Sequence, residues 1–226
     1  MTVDDVREAA RGIEGVAVRT RLLHSPELTQ LAGAPAYLKL ENEQPTGAFK
    51  LRGAWTALRL LPAAARSRGV VTYSSGNHGQ AVAFAAARMG VRAVIVMPEN
   101  APEAKVGGVK RWGGEVEFAG VTSEDRRRRA FELAESADLA VIPPYDHPHI
   151  IAGQGTVGLE IVEDCPEVAR VAVPVGGGGL AAGVTVVLAA LKADVKVFGV
   201  EPVGAATLGA AVEAGYPVRL HSTMSI

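Results

Sequence analysis

Strand-like and helix-like runs alternate almost without exception along the 226 residues, and no other feature constrains the fold as strongly. Runs rich in β-formers cover 36–41, 70–74, 93–97, 116–119, 140–143, 171–175 and 195–200. Helical patterns lie between them. Ser25-Pro26-Glu27 supplies an N-cap, a proline at the first helical position and an acid in the first turn. The Ala-rich stretch 79–89 stops at Gly90, a left-handed terminator, and Ser123-Glu124-Asp125 opens another helix. The β-rich runs are apolar on both faces, as a parallel sheet covered by helices on both sides requires. The expected fold is α/β, a doubly wound and mostly parallel sheet with a second, smaller nested α/β domain. Two breaks, Arg66-Ser67-Arg68-Gly69 and Pro143-Pro144-Tyr145-Asp146-His147-Pro148, place the smaller unit at 67–147 and the larger at 1–66 plus 148–226.

A formal net charge of −1 gives no reason to expect a nucleic acid or an acidic surface as partner. The one basic cluster, Arg126 to Arg129, starts a helical stretch and reads as a solvated face. A single cysteine, Cys165, rules out a disulfide within the chain and reads as an ordinary thiol. The opening residues Met-Thr-Val-Asp-Asp-Val-Arg-Glu form an acidic helix start rather than a signal peptide. The longest apolar run, near 180–191, is interrupted by Gly183 and too short for a membrane span. A cytoplasmic protein is expected, with neither nucleic acid nor membrane as partner.

Three segments carry chemistry. The first is Pro45-Thr46-Gly47-Ala48-Phe49-Lys50, a turn running into a helix over 50–61. A lysine held there half-desolvated has a lowered pKa and a free amine, available as nucleophile or base. The second is Gly176-Gly177-Gly178-Gly179-Leu180, between a strand and a helix. Backbone N–H groups converge there without Cβ obstruction, beside a helix N-terminus, which makes a phosphate site. Gly176-x-Gly178-x-x-Ala181 also satisfies a dinucleotide fingerprint, with Glu201 ending the next strand as its ribose acid would, so that reading stays open. A Walker loop is excluded, since no Gly-Lys-Ser/Thr follows. The third is Ser74-Ser75-Gly76-Asn77-His78-Gly79-Gln80, whose hydroxyls, amide and N–H groups suit a carboxylate. Asn77 can also donate to a phenolate oxygen. His78 reads either as part of that site or as a residue capping a helix start. A Schiff-base lysine, a phosphate cradle and a carboxylate clamp together are what pyridoxal phosphate chemistry on an amino acid needs.

Lys39-Leu-Glu41-Asn-Glu-Gln44-Pro-Thr-Gly47-Ala-Phe-Lys50-Leu-Arg52-Gly-Ala resembles the lysine motif of the threonine/serine dehydratase and serine racemase family. That family has the tryptophan-synthase-β fold type of pyridoxal phosphate enzymes. Residues 74–80 resemble its substrate loop, 176–180 its phosphate loop, and Ala152-Gly-Gln154-Gly-Thr156 and Val200-Glu201-Pro202 also match. The resemblance runs from about Val3 to the last residue. It implies Lys50 as the lysine that carries pyridoxal 5'-phosphate, Phe49 against the cofactor ring and Asn77 on the ring hydroxyl. It also implies Ser74, Ser75, Gly76, Asn77 and His78 around the substrate carboxylate. Ser75 lies where racemases of the family place a second acid/base; it also reads as a carboxylate ligand alone.

Two departures stand out. Family members are longer, and the part beyond residue 226 normally carries the small polar residue facing the pyridine nitrogen, so a truncated large domain and reduced activity are expected. Where some members bind a divalent cation, Glu201 and Ala205 are present but Thr207 replaces an acid, so no metal is expected. The expected activity is a lyase, threonine/serine dehydratase (ammonia-lyase), releasing a 2-oxo acid and ammonia, with serine racemisation, an isomerase reaction, as a side activity. Partners are a small amino acid, threonine or serine, and further copies of the chain. The alternatives are an inactive or partner-dependent fragment, and a nicotinamide-dependent oxidoreductase using the Gly176 loop.

Overall fold

The computed structural model describes residues 1–74, 76–218 and 220. The chain opens with α1 (Val3–Ile13) and an antiparallel pair, β1 (Leu22–His24) and β2 (Tyr37–Lys39), around α2 (Pro26–Ala32). The hydroxyl of Ser25 accepts from Leu28 N–H and so caps α2. Helices α3 (Lys50–Arg59) and α4 (Ala63–Arg68) follow. Next come β3 (Val70–Tyr73), α5 (Asn77–Met89), β4 (Ala93–Met97), α6 (Glu103–Arg111), β5 (Glu115–Phe118), α7 (Ser123–Ser136) and β6 (Ala140–Val141). The rest is α8 (Pro148–Asp164), β7 (Arg170–Pro174), α9 (Gly179–Leu191), β8 (Lys196–Val200) and α10 (Thr207–Ala214).

The central sheet is parallel, in the order β5-β4-β3-β6. From β3 the chain first builds outward to β5, then returns to place β6 on the other side. The crevice beyond the carboxyl ends of β3 and β6 is therefore a topological switch point, where open α/β sheets bind ligands. Alternation along β4 divides the core. Ala93, Ile95 and Met97 pack with Ala81, Val82 and Ala85 of α5, while Val94 and Val96 pack with Val71 and with Ala130 of α7. Both faces are thus covered by helices, as expected. On its far side α5 meets Leu51, Ala54 and Leu58 of α3, which brings α3 to the same core.

β7 and β8 make a second parallel pair, backed by Val157 and Ile161 of α8 and by Val184 and Leu188 of α9. Close approach fastens α8 to α3: a Cβ on Gly153 would lie 2.5 Å from the Arg52 carbonyl oxygen.

Several local expectations change. Residues 66–68, read as a break, are the last turn of α4. Glu41, placed in a strand, begins a 3-10 turn. Helix α3 ends at Arg59 rather than residue 61, and α5 starts two residues early, at Asn77. β8 exposes Phe198 and Val200, and β5 carries Glu115 and Glu117, so neither is apolar on both faces. Of the basic cluster, Arg126 is buried, donating to Val121 O and Ser123 Oγ, while its three successors are largely solvated. Cys165 is buried at the end of α8, where burial pushes its thiol pKa up. Among the described residues no helix is long and apolar enough to cross a membrane.

Candidate active site

Lys50 is the first residue of α3, and the turn before it is tightly specified. Gly47 N–H donates to Gln44 O at 2.7 Å, and Gly47 takes φ +72°, a left-handed value that disfavours a side chain. Thr46 and Ala48 are buried on either side. The Lys50 ammonium reaches across to the loop after β6, donating to Pro144 O at 2.6 Å, and lies 5.3 Å from the centre of the Phe49 ring. Burial lowers its pKa from 10.5 to about 8. Its place at a helix N-terminus acts in the same direction.

The switch point supplies the neighbouring groups. Ile142 O accepts from Thr72 Oγ1 at 2.6 Å and lies 3.2 Å from His78 Nε2. That contact makes Nε2 the protonated nitrogen of His78. Burial, and secondarily the charge of Lys50, lowers the His78 pKa to about 3, so the imidazole is neutral. Its Nδ1 has no partner among the described residues. His78 therefore does not cap its helix; it is tied to the β6 end instead. Gly76, the residue before α5, donates from its N–H to Ser74 Oγ at 3.2 Å, and Asn77 is exposed in the first turn. Ser75 lies outside the described residues.

The glycine loop closes the opposite side. Phe49, Lys50, Tyr145 and residues 174–180 line one cleft of about 260 Å³. Gly178, at φ +83°, is the N-cap of α9, and among the described residues no side chain caps that helix. The first N–H groups of α9 are thus free for an anion. Among the described residues a Cβ placed on Gly176 or Gly178 would meet nothing within 4 Å, so among them the loop borders open space. An amine, an aromatic ring and an uncapped helix N-terminus in one cleft match the three demands of pyridoxal phosphate: a covalent anchor, a stacking face and a phosphate cradle.

Two residues beyond Lys50, Arg52 centres a charged core; Lys39, Glu41 and Arg52 stand in the lysine motif and Thr156 in the second matching motif, but their contacts with one another and with Glu160 are not legible in the sequence. The Arg52 side chain is fully buried. Its guanidinium donates to Glu41 Oε2 and Oε1 (2.8 and 2.7 Å) and to Glu160 Oε1 and Oε2 (2.6 and 3.0 Å). It also reaches Thr156 Oγ1 at 3.1 Å and Val18 O at 3.2 Å. Lys39 joins Glu160 at 2.7 Å, and Thr20 Oγ1 donates to Glu41 at 2.6 Å. Gln154, from the other matching motif, accepts from Gly53 N–H at 3.2 Å. The network holds the start of α3 against the 41–43 turn and α8. Tyr145 was passed over: Pro143-Pro144-Tyr145 reads as punctuation, although its place at the carboxyl end of a strand was a usable signal.

Glu201 spends both carboxylate oxygens on α10, accepting from Leu208 N–H at 2.7 Å and Gly209 N–H at 3.0 Å.

The family model described as pyridoxal-phosphate dependent enzyme matches residues 13–226. The chain belongs to that family. An L-threonine ammonia-lyase of Thermotoga maritima is 41% identical over 221 residues, 98% of this chain and 55% of that protein. A serine racemase of Schizosaccharomyces pombe is 43% identical over 201 residues, 89% of this chain and 62% of that protein. Maize serine racemase superposes with a TM-score of 0.96 at 37% identity, covering 99% of this chain and 68% of that one. The chain thus spans little more than half the length of the first two. Membership brings pyridoxal phosphate as cofactor and the mixed α/β fold with a parallel sheet.

The lowered Lys50 pKa predicts a pH profile. Attachment of pyridoxal phosphate to Lys50, trapped with borohydride and counted by peptide mapping, should rise about tenfold in initial rate from pH 7 to 9 and level off, following the free-amine fraction. A lysine of ordinary pKa would still be climbing at pH 9. Between about pH 8 and 10.5 the unfolded chain holds the extra proton at this group, so its contribution to stability rises with pH across that window.

Proposed function

We propose that the protein is a threonine/serine ammonia-lyase, removing water from the hydroxy amino acid and releasing a 2-oxo acid and ammonia. The observation that carries the reading is the half-buried Lys50 amine, which shares one cleft with Phe49 and the uncapped glycine loop. Likeness to the Thermotoga ammonia-lyase supports the substrate class.

Pyridoxal phosphate, when bound, supplies the electron sink for charge developing at the substrate Cα. Lys50 would hold it through Nζ, and as a free amine would accept the Cα proton at that nitrogen. A pKa near 8 keeps enough free amine for this at neutral pH. Phe49 covers the ring. Gly176, Gly177, Gly178, Gly179 and Leu180 direct N–H groups at the phosphate. Asn77 would donate to the ring hydroxyl, and Ser74, Ser75, Gly76, Asn77 and His78, the last through its backbone N–H, would surround the substrate carboxylate.

We further propose that residues 1–66 with 148–226 and residues 67–147 act as two units around this cleft, joined by the core that α3 shares with α5. Serine racemisation as a side activity is supported by likeness to the maize and fission-yeast racemases. Further copies of the chain remain the proposed protein partners.

The test is direct. The purified protein loaded with pyridoxal phosphate should release 2-oxo acid from L-threonine and L-serine, and borohydride should fix the cofactor to Lys50. Fixation at Lys39 or Lys105, or tight NAD binding with no visible chromophore, would overturn the reading. Appearance of D-serine in the same incubation decides the racemase activity.

A further inference from the structure

The glycine loop is moulded by one side chain that neither lysine motif nor phosphate loop contains. Tyr145 follows the carbonyl that receives Lys50 and lines the same cleft. A Cβ on Gly177 would lie 2.2 Å from Tyr145 Cγ and Cδ1, with the rest of the ring beyond. A Cβ on Gly179 would lie 2.9 Å from the Tyr145 carbonyl oxygen. Gly176 differs: among the described residues its added Cβ would meet nothing within 4 Å, and its backbone is not left-handed. The loop glycines therefore divide by cause. Gly177 and Gly179 are bare because Tyr145 occupies the space; Gly176 is bare toward the open cleft.

We infer that Tyr145 is a positioning residue, whose ring and backbone press on Gly177 and Gly179 and set the loop in its anion-binding shape. The inference rests on the loop being the cofactor's phosphate site. It implies that Gly177 and Tyr145 are one steric unit: a methyl at 177 harms binding by displacing the ring, and shrinking residue 145 removes that harm. Tyr145 also links the two anchors, since its chain segment carries both the Lys50 acceptor and the loop support.

The experiment is a double-mutant cycle on the full chain, read as pyridoxal phosphate affinity by titration of visible absorbance, with melting temperature of the cofactor-free protein beside it. Gly177→Ala should weaken the cofactor about 100-fold, Tyr145→Ala about 10-fold, and the double variant no more than Tyr145→Ala alone. Multiplying losses, or an innocuous Gly177→Ala, would overturn the inference. If Gly177→Ala does not fold, restoration of folding in the double variant supports it and continued failure overturns it. Gly176→Ala separates the two levels. It should weaken the cofactor while leaving the melting temperature unchanged. If it leaves affinity unchanged, the phosphate reading fails; the cycle judges Tyr145 independently through the melting temperatures, which should show the same 145–177 coupling.

Discussion

Lys50→Ala should leave a folded protein that no longer fixes pyridoxal phosphate covalently and turns over L-threonine at least about 10⁴-fold more slowly, since in the proposed function one substitution removes both the anchor and the proton acceptor. Folding should survive because Lys50 sits at a helix start and its side chain makes one hydrogen bond among the described residues, to Pro144 O. Removing it relieves the desolvation of an amine, so the melting temperature of the cofactor-free protein should stay level or rise. The measurement pairs a 2-oxo acid assay with a visible spectrum after borohydride. Activity within tenfold of the parent would refute the assignment.

The second large effect falls on stability. Arg52→Met should cost about 3–5 kcal/mol, measured by urea unfolding of the cofactor-free protein, because Glu41 and Glu160, 13% and 12% exposed, stay behind in a largely buried site without the guanidinium that joined them. Against a typical margin of about 5–15 kcal/mol, that is a large share of the whole. Arg52→Lys should recover little of it. An ammonium is a point charge and cannot present a planar fork to two carboxylates at once. A loss under about 1 kcal/mol for Arg52→Met would show that the network is solvated and contributes little.

The sequence exposes what depends on spacing and hides what depends on who meets whom. Strand and helix alternation reads correctly because period and caps are local; the Ser25 cap and the left-handed stop at Gly90 are where the residues alone place them. β1 went unseen because Leu22–His24 is only three residues long and depends on its pairing with β2. The 63–68 helix was hidden by a Ser-Arg-Gly sequence that resembles a break. At the cleft, Lys50, Phe49 and the glycine loop are legible as types of residue in a type of setting. That they line one cavity is a product of the topology. Arg52 stands inside the lysine motif, but its burial is not legible there; only its contacts with Glu41 and Glu160, the latter 108 residues away, show that it ties α3 to the 41–43 turn and α8. Tyr145 is similar, an aromatic among prolines until it meets Gly177.

The Lys50–Pro144 hydrogen bond joins residues 94 positions apart. Contacts of such separation form only after long loops have closed, and they make topology the limit on folding speed. At synthesis rates of about 5–20 residues per second, Lys50 leaves the peptidyl-transferase centre roughly 6–25 s before Gly176 is added. Through that interval it lacks the glycine loop with which it shares its cleft. Selective capture of the cofactor is therefore a property of the finished chain, and the cofactor becomes a check on folding: at 100 times its dissociation constant, a ligand that binds only the native form adds about 2.7 kcal/mol to molecules that completed the cleft and nothing to those that did not.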